Sequence, residues 1–409
     1  MSDLVQALER CSRFGVKPGL DAIRAVCAAM GDPQETLRVV HVAGTNGKGA
    51  VCALVDAALR AAGFRTGRYT SPHLVSLSER FALDGVPVDD ARLDDALARV
   101  PHADSLTYFE LLTAVAFALY ARERVDVLVL ETGLGGRLDA TNVVRQPAVC
   151  AITRIGFDHC SWLGDTLPAI AAEKGGIIKP GVPVALGAMP EEARATLEQI
   201  AAARHAPCVF APDVFRDDDI PQGLALGGAF NRENAITAMA VLQRLGVKES
   251  AVAEGFRSAV WPGRFQTVRW QGRTFLVDGA HNPPAAQALA AALQKMPGAP
   301  SRRAVICGFC GDKDVAECLH ALRLVADSGF AVPIRNPRSL PASRTAALMR
   351  AAGFRDVRAC GSLDEALADA PDGTVICGSL FLAGEALAAM GALPSASFSP
   401  NEPMHRTMV

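Results

Sequence analysis

The segment His41–Ala50, HVAGTNGKGA, has the composition of a loop that binds phosphate. The apolar run Val39–Val42 predicts a buried strand before it, and the apolar spacing of Val51–Ala62 predicts a helix after it. Glycines let backbone N–H groups approach phosphate oxygens, the helix N-terminus adds a partial positive charge, and Lys48 adds a full charge. The alternative is a glycine turn that binds nothing, and the strand–loop–helix order argues against it.

The loop lacks the hydroxyl group that commonly follows its lysine. The common motif has glycine six residues before the lysine and serine or threonine directly after it. Val42 and Gly49 occupy those two positions here, and Ala50 follows them. A hydroxyl ligand for magnesium must therefore come from another segment.

Polar residues also follow other predicted strands. The run Val125–Leu130, VDVLVL, is typical of a parallel strand that is covered on both faces, and Glu131 ends it beside several glycines. Because open parallel sheets bind ligands at the carboxyl ends of their strands, Glu131 is a candidate metal ligand, with a helix cap or a solvated acid as the alternatives. The positions found in this way are Lys48, Ser71, Glu131, Asp158 with His159, and Asp278 with His281. They predict a nucleoside triphosphate with magnesium, held between two domains.

Length and composition limit the class of protein. A chain of 409 residues exceeds one typical core, so two domains are expected. The net charge of −2 gives no electrostatic case for nucleic acid or an anionic membrane as a partner. The sequence shows neither a secretory signal nor an apolar run that could cross a bilayer. The 11 cysteines are scattered and odd in number, which predicts reduced thiols and a cytoplasmic protein.

The chain is expected to divide at Trp261–Phe265, WPGRF, where proline and glycine interrupt the pattern. Residues 1–262 would form the first domain, and residues 263–393 a smaller domain in which strands and helices alternate. Its predicted strands are Arg273–Val277, Arg303–Cys307, Ala331–Ile334, Val357–Cys360 and Thr374–Cys377. This alternation predicts a doubly wound α/β unit. The tail of residues 394–409, with its Ser, Pro and Asn, is expected to be disordered.

Six motifs together resemble the folylpolyglutamate synthase/dihydrofolate synthase family, the folate branch of the Mur ligase family. They are HVAGTNGKG, YTSPHLVSLSERF, ETGLGGRLDATN, ITRIGFDHCSWLGDTLPAIAAEKGGIIKP, WPGRF and LVDGAHNP, and the resemblance runs from Phe14 to Glu385. It implies an α/β fold with an N-terminal P-loop ATPase domain of the Mur ligase type, which has a parallel-rich sheet, and a smaller C-terminal Rossmann-like domain. It also implies an ATP-dependent ligase that adds L-glutamate to dihydropteroate, to folate or to both, through an acyl phosphate.

The resemblance also implies roles for individual residues. ATP would be bound by Thr45, Asn46, Gly47, Lys48 and Gly49 at its phosphates and by Asn234, Arg264, Asp278 and His281, the last near the adenine. Two magnesium ions would be held by Ser71, Glu131, His159 and Lys174, the lysine as a carbamate. The pterin or folate would face Thr107, Tyr108, Phe109, Glu110 and Arg137. Lys48, His159 and Lys174 are the expected catalytic residues.

Two positions depart from the family pattern. Ala50 stands where the family usually has serine or threonine, and Phe230-Asn231 stands where it usually has a His-Gln pair. Because Lys48 and the backbone N–H groups remain, altered phosphate contact is expected and loss of activity is not.

Several alternatives stay open at this point. The chain could be a Mur-type ligase for a cell-wall or peptide substrate, or an inactive nucleotide-binding module. Lys174 could be a surface lysine paired with Glu173 or with solvent. A monomer is expected, with small-molecule partners and with neither nucleic acid nor a membrane among them.

Overall fold

The computed structural model describes residues 2–11, 19–296 and 303–393. Within these residues the chain forms two α/β domains, each built on one mainly parallel sheet. The predicted disordered tail, residues 394–409, lies outside the described residues.

The first sheet has eight strands. They are β1 (Val39–Ala43), β2 (Thr66–Tyr69), β3 (Phe81–Leu83), β4 (Val86–Pro87), β5 (Val127–Glu131), β6 (Val149–Ile152), β7 (Val184–Leu186) and β8 (Cys208–Phe210). Their order is β4-β3-β2-β5-β1-β6-β7-β8, and all neighbours are parallel except β3, which is antiparallel to β2 and β4. All five residues of β1 are buried, as expected for an apolar parallel strand at the centre of a sheet.

Helices cover both faces of this sheet. They are α1 (Asp3–Cys11), α2 (Asp21–Ala29), α3 (Lys48–Ala61), α4 (Asp90–Leu97), α5 (Tyr108–Arg122), α6 (Cys160–Leu163), α7 (Leu167–Gly175), α8 (Glu191–Ala203), α9 (Ala211–Val214), α10 (Ala229–Arg244) and α11 (Glu249–Ser258). One apolar cluster joins α1, α2, α4 and α5, and another joins α3, α10 and α11. The central strands are thus enclosed, while the edge strands β4 and β8 are partly exposed.

The second sheet has six strands, in the order β13-β12-β11-β14-β10-β9. They are β9 (Gln266–Trp270), β10 (Arg273–Val277), β11 (Arg303–Cys307), β12 (Ala326–Ala331), β13 (Asp356–Ala359) and β14 (Thr374–Cys377). The helices between them are α12 (Pro283–Gln294), α13 (Val315–Arg323), α14 (Ala342–Ala351), α15 (Leu363–Asp369) and α16 (Leu380–Ala389). Every neighbouring pair is parallel except β9 and β10. The predicted two-domain α/β fold is therefore confirmed.

Some strands differ from the prediction. The strand expected at Ala331–Ile334 is β12, which ends at Ala331, because Pro333 has no N–H group to extend the ladder. The antiparallel strands β3, β4 and β9 are absent from the prediction. Their hairpins turn at Asp84-Gly85 and Gln271-Gly272, where all four residues have positive φ. The Asp-Gly pair is a recognised hairpin signal that points to β3 and β4.

Asp56 ties α3 to the sheet. Its carboxylate is fully buried, accepts a hydrogen bond from Thr66 Oγ1 at 2.6 Å, and lies 3.3 Å from Arg68 Nη1. Arg60 Nε lies 3.4 Å away on the other side. This ion network holds the second half of α3, the helix that begins at the predicted phosphate loop, against β2.

We predict that Asp56→Ala lowers the free energy of unfolding by about 3–5 kcal/mol, because Arg68 would stay buried without its carboxylate. Urea unfolding followed by circular dichroism measures the change. The matched control is Asp104→Ala, since the Asp104 side chain is 82% exposed and forms an exposed ion pair with Arg10. That control should change the free energy by less than about 0.5 kcal/mol. Similar effects of the two substitutions would contradict the role given to Asp56.

Candidate active site

A cleft of about 450 Å³ lies between the two domains. The first domain contributes the segments that follow β1, β2, β5 and β6. The second domain contributes the segments that follow β10, β11 and β14. The cleft therefore lies at the carboxyl ends of parallel strands from both sheets, where α/β proteins bind ligands.

The loop after β1 has the geometry of a phosphate cradle. Gly44 and Gly47 have φ values of 148° and 92°, and Lys48 begins α3. A Cβ atom at Gly44 would overlap Thr153 Oγ1, so a side chain there is excluded by space as well as by conformation. The loop is fixed from β6, because Thr45 N donates to Arg154 O at 2.9 Å and Thr153 Oγ1 donates to Asn46 O at 2.7 Å.

Glu131 is a buried carboxylate with few partners. It is 3% exposed, its Oε2 accepts a hydrogen bond from Ser71 N at 3.1 Å, and its Oε1 lies 3.9 Å from Lys48 Nζ. Burial raises the pKa of Glu131, and the Lys48 charge and the Ser71 N–H group oppose that shift. No other hydrogen bond reaches this carboxylate from the described residues. A buried anion with so little compensation fits a cation in the cleft.

The available ligand groups fit a magnesium ion that also binds water and substrate phosphates better than a metal ion bound by protein side chains alone. Within the described parts of the chain, no three His, Cys, Asp or Glu side chains cluster closely enough to hold a metal by themselves. Magnesium is usually bound through one or two carboxylates together with water and substrate phosphates. Glu131 and the Ser71 hydroxyl, at the ends of β5 and β2, match that pattern. His159 is further along the cleft, and burial, opposed by Asp158, lowers its pKa to about 4, so its ring is neutral.

Lys174, in the last turn of α7, is 4% exposed and donates from Nζ to Gly44 O at 2.9 Å. Burial, assisted by the charge of Lys48, lowers the pKa of Lys174 to about 7. Glu173 is not its partner, because Glu173 pairs with Arg137 at 2.8 Å. The surface-lysine alternative is therefore wrong. A large fraction of the Lys174 amine is therefore neutral at physiological pH, and the neutral amine is the form that reacts with carbon dioxide.

The second domain touches the phosphate loop directly. Asn46 and Asn282 exchange two side-chain hydrogen bonds of 3.2 Å. Asp158 accepts from Lys313 Nζ at 2.9 Å and from Asn282 Nδ2 at 2.8 Å. Burial would raise the pKa of Asp158, but His159, Lys313 and His281 outweigh it and hold that pKa well below its usual range.

Sequence reasoning assigns no role to Asn282 or Lys313. Asn282 stands inside the LVDGAHNP motif, next to a predicted site residue, and that position is the signal that could have found it. Lys313 follows β11 within Gly311–Asp314, GDKD, another polar segment at a strand end. Both side chains belong to the second domain, and they donate hydrogen bonds to Asp158 of the first domain where the two domains meet.

The predicted nucleotide residues lie on both sides of the cleft. Asn234 is 8% exposed. Its Oδ1 atom lies so close to Gly47 that a Cβ atom at position 47 would overlap it. The Asp278 carboxylate accepts from Phe265 N and Ala280 N, each at 2.8 Å, so it shapes the turn where the second domain begins. Arg264 is half-buried near it.

His281 faces the phosphate side of the cleft. Its Nε2 atom lies 3.9 Å from Asp158 Oδ2, and its Nδ1 atom lies 2.8 Å from Gly279 O. Burial, with Lys313 nearby, lowers the pKa of His281 to about 4. The role near the adenine stays a prediction.

The predicted folate residues also line the cleft. Glu110 has a structural task, because its Oε2 accepts from Thr107 N at 2.9 Å and from Thr107 Oγ1 at 2.7 Å and so caps α5. The capping box aims Tyr108 and Phe109 into the cleft region, where the Phe109 ring lies 6.0 Å from that of Tyr69. Arg137 is half exposed at the rim.

The chain is similar to several known proteins over most of its length. A family model described as Mur ligase, glutamate ligase domain, matches residues 263–380. The dihydrofolate synthase/folylpolyglutamate synthase of Escherichia coli K12 is 35% identical over 387 residues, 91% of each chain. E. coli FolC in complex with DHPP and ADP has a TM-score of 0.84 at 31% identity, over 95% of this chain and 98% of that one. A bifunctional folylpolyglutamate synthase/dihydrofolate synthase with Mn, AMPPNP and L-glutamate bound has a TM-score of 0.82 at 31% identity, over 96% and 98%.

The two-domain α/β fold, the matched Mur ligase domain and these relatives together identify an ATP-dependent C–N ligase of the Mur type. Within that class, the chain belongs to the dihydrofolate synthase/folylpolyglutamate synthase family, as the sequence motifs predict. None of the helices in the described ranges is both long and apolar enough to cross a membrane.

We predict that Lys174→Ala abolishes most activity and that a small carboxylic acid such as acetate partly restores it, because the acid would replace the oxygens of the predicted carbamate. Lys174→Arg should not recover, because it stays cationic. Initial rates of ADP release with and without acetate measure both effects. The matched control is Lys248→Ala, at an exposed position, which should behave as wild type. Near-normal activity of both Lys174 variants would remove this residue from the site.

Proposed function

We propose that the protein uses ATP to join L-glutamate to the carboxylate of dihydropteroate, of a reduced folate, or of both. The observation that carries the proposal is Glu131, a buried and poorly compensated carboxylate placed between Lys48 and Ser71 in the cleft. The relatives support it, because one is in complex with DHPP and ADP and another with Mn, AMPPNP and L-glutamate.

In the first step, a carboxylate oxygen of the acceptor attacks the γ-phosphorus of ATP. A bond forms between that oxygen and phosphorus, the bond to the β,γ-bridging oxygen breaks, and ADP leaves with its electron pair. Negative charge spreads over the phosphoryl oxygens, so Lys48 and the N–H groups of the loop act here. Magnesium at Ser71 and Glu131, with His159 and carbamylated Lys174 at a second ion, would neutralise phosphate charge.

In the second step, the amino group of L-glutamate attacks the carbonyl carbon of the acyl phosphate. The C–N bond forms, the C–O bond to the phosphate breaks, and inorganic phosphate leaves. The amine loses one proton in this step. The candidate acceptors are Asp158, whose two oxygens already accept hydrogen bonds, and His159, whose neutral ring has a free lone pair only while it does not bind magnesium.

We assign the nucleotide to the loop residues Thr45–Gly49 together with Asn234, Arg264, Asp278 and His281, and the folate to Thr107–Glu110 and Arg137. All of these residues line the cleft, which supports the assignment. We assign residues 1–262 and 263–393 to the two domains. A cytoplasmic monomer without a nucleic-acid partner completes the proposal.

The test is a paired assay of glutamate-dependent ADP release with dihydropteroate and with a reduced folate monoglutamate. Release with either compound supports the proposal, and the pattern separates the two synthase activities. The control is Lys48→Ala, which should lose about a hundredfold or more in turnover while folate binding is kept. Release with a cell-wall precursor alone would favour another Mur-type ligase, and no release would favour an inactive module. A loss below roughly tenfold for Lys48→Ala, about 1.4 kcal/mol, would contradict the loop assignment.

We also predict that Ser71→Ala raises the magnesium concentration needed for half-maximal activity, because no hydroxyl follows Lys48 in the loop. A magnesium titration measures the shift. Ala50→Ser in the Ser71→Ala background is the matched variant, and it should not restore the wild-type requirement. An unchanged titration for Ser71→Ala, or full rescue by Ala50→Ser, would show that Ser71 is not the ligand.

A further inference from the structure

Arg80 is a buried cation whose charge is felt by Glu131 but which forms no ion pair with any described residue. It is 3% exposed, ends the short helix Leu77–Arg80, and lines the cleft. Its Nε atom donates to His73 Nδ1 at 2.9 Å. Among the described residues, no carboxylate forms an ion pair with its guanidinium, and its two terminal nitrogens donate no hydrogen bond.

The other arginine that is buried to this degree, Arg303, also lacks a carboxylate partner among the described residues, whereas the half-buried Arg68 and Arg60 have one. Arg68 and Arg60 both face the carboxylate of Asp56. Arg303, which is 8% exposed, does not line the cleft. Removing a charge from water is costly unless a partner of opposite charge is supplied. At Arg80 the open side is the cleft, so the missing anion belongs to a ligand.

The position of Arg80 indicates which anion this is. Its carbonyl oxygen accepts from Thr70 N at 3.0 Å, which sets Arg80 beside Ser71. Its guanidinium carbon lies 5.8 Å from the centroid of the Tyr108 ring. Arg80 thus stands between the Ser71–Glu131 group, where the phosphoryl group would be transferred, and the aromatic side chains that would receive the acceptor.

We infer that the Arg80 guanidinium binds the acceptor carboxylate that takes up the γ-phosphoryl group. Its two terminal nitrogens present the parallel N–H pair that matches a carboxylate, while Nε stays on His73. This inference rests on the proposed function and adds a substrate-binding residue to it. The triphosphate is a less suitable partner, because Lys48 and the N–H groups of the loop already supply it with positive charge.

The experiment compares the binding of dihydropteroate with that of its carboxamide, in the presence of ADP and magnesium, by titration calorimetry. The carboxamide keeps the rings and removes the charge. Wild-type protein should prefer the acid by about ten- to a hundredfold, the range expected for hydrogen bonds to a charged group. Arg80→Gln should lose this preference, and Arg80→Lys should keep part of it. The matched control, Arg122→Gln, alters an arginine at the far end of α5 that pairs with Asp95, and should keep the full preference.

Each outcome decides the question. Equal binding of acid and carboxamide by the wild-type protein overturns the inference, even where Arg80→Gln fails to fold. A weaker affinity of Arg80→Gln for ADP or a nonhydrolysable ATP analogue, with the acid preference intact, assigns Arg80 to the nucleotide and also overturns it. In both of these cases, glutamate-dependent ADP release by the wild-type protein would still support the proposed function. No release with either folate compound overturns the proposed function and the inference together.

Discussion

Burial of one carboxylate is the constraint on which the site depends. Strand pairing sets Glu131 of β5 beside Val42 of β1, so the loop after β1 and the turn after β2 both meet at this residue. A buried carboxylate is tolerated only where positive charge and N–H donors surround it. Lys48 and the Ser71 N–H group supply part of that compensation, and the cleft leaves the remainder to a cation. The groups at this edge of the sheet are thus arranged around the single buried charge of Glu131.

Much of this site could be predicted because its chemistry is local in sequence. Lys48, Ser71 and Glu131 each follow a parallel strand, and the ends of such strands meet at one edge. Lys174 is different, since a Glu-Lys pair on a helix usually lies on the surface. Family resemblance alone singled it out. Its side chain reaches the carbonyl oxygen of Gly44, and the turn at Gly136 packs against the backbone of Lys174.

The rest could not be predicted because it depends on contacts between distant segments. Arg80 and Lys313 are cations in polar stretches, and nothing near them in sequence shows that one is enclosed and the other reaches across the domains. β12 has few strand-forming residues, ADSGFA, and is held as a strand by its neighbours β11 and β13. In these cases tertiary packing outweighs local preference.

The hydrogen bond from Lys174 to Gly44 O has a geometric consequence for a carbamate. A carbamate is planar and keeps one N–H group on its nitrogen. If that N–H group stays on the Gly44 carbonyl, the plane of the group is fixed, and so is the direction in which its two oxygens face. The carbonyl oxygen would then orient a ligand that it does not itself touch. Glycine is required at position 44 because a side chain would overlap Thr153, and the carbonyl group of the same residue would also set the direction of the carbamate oxygens.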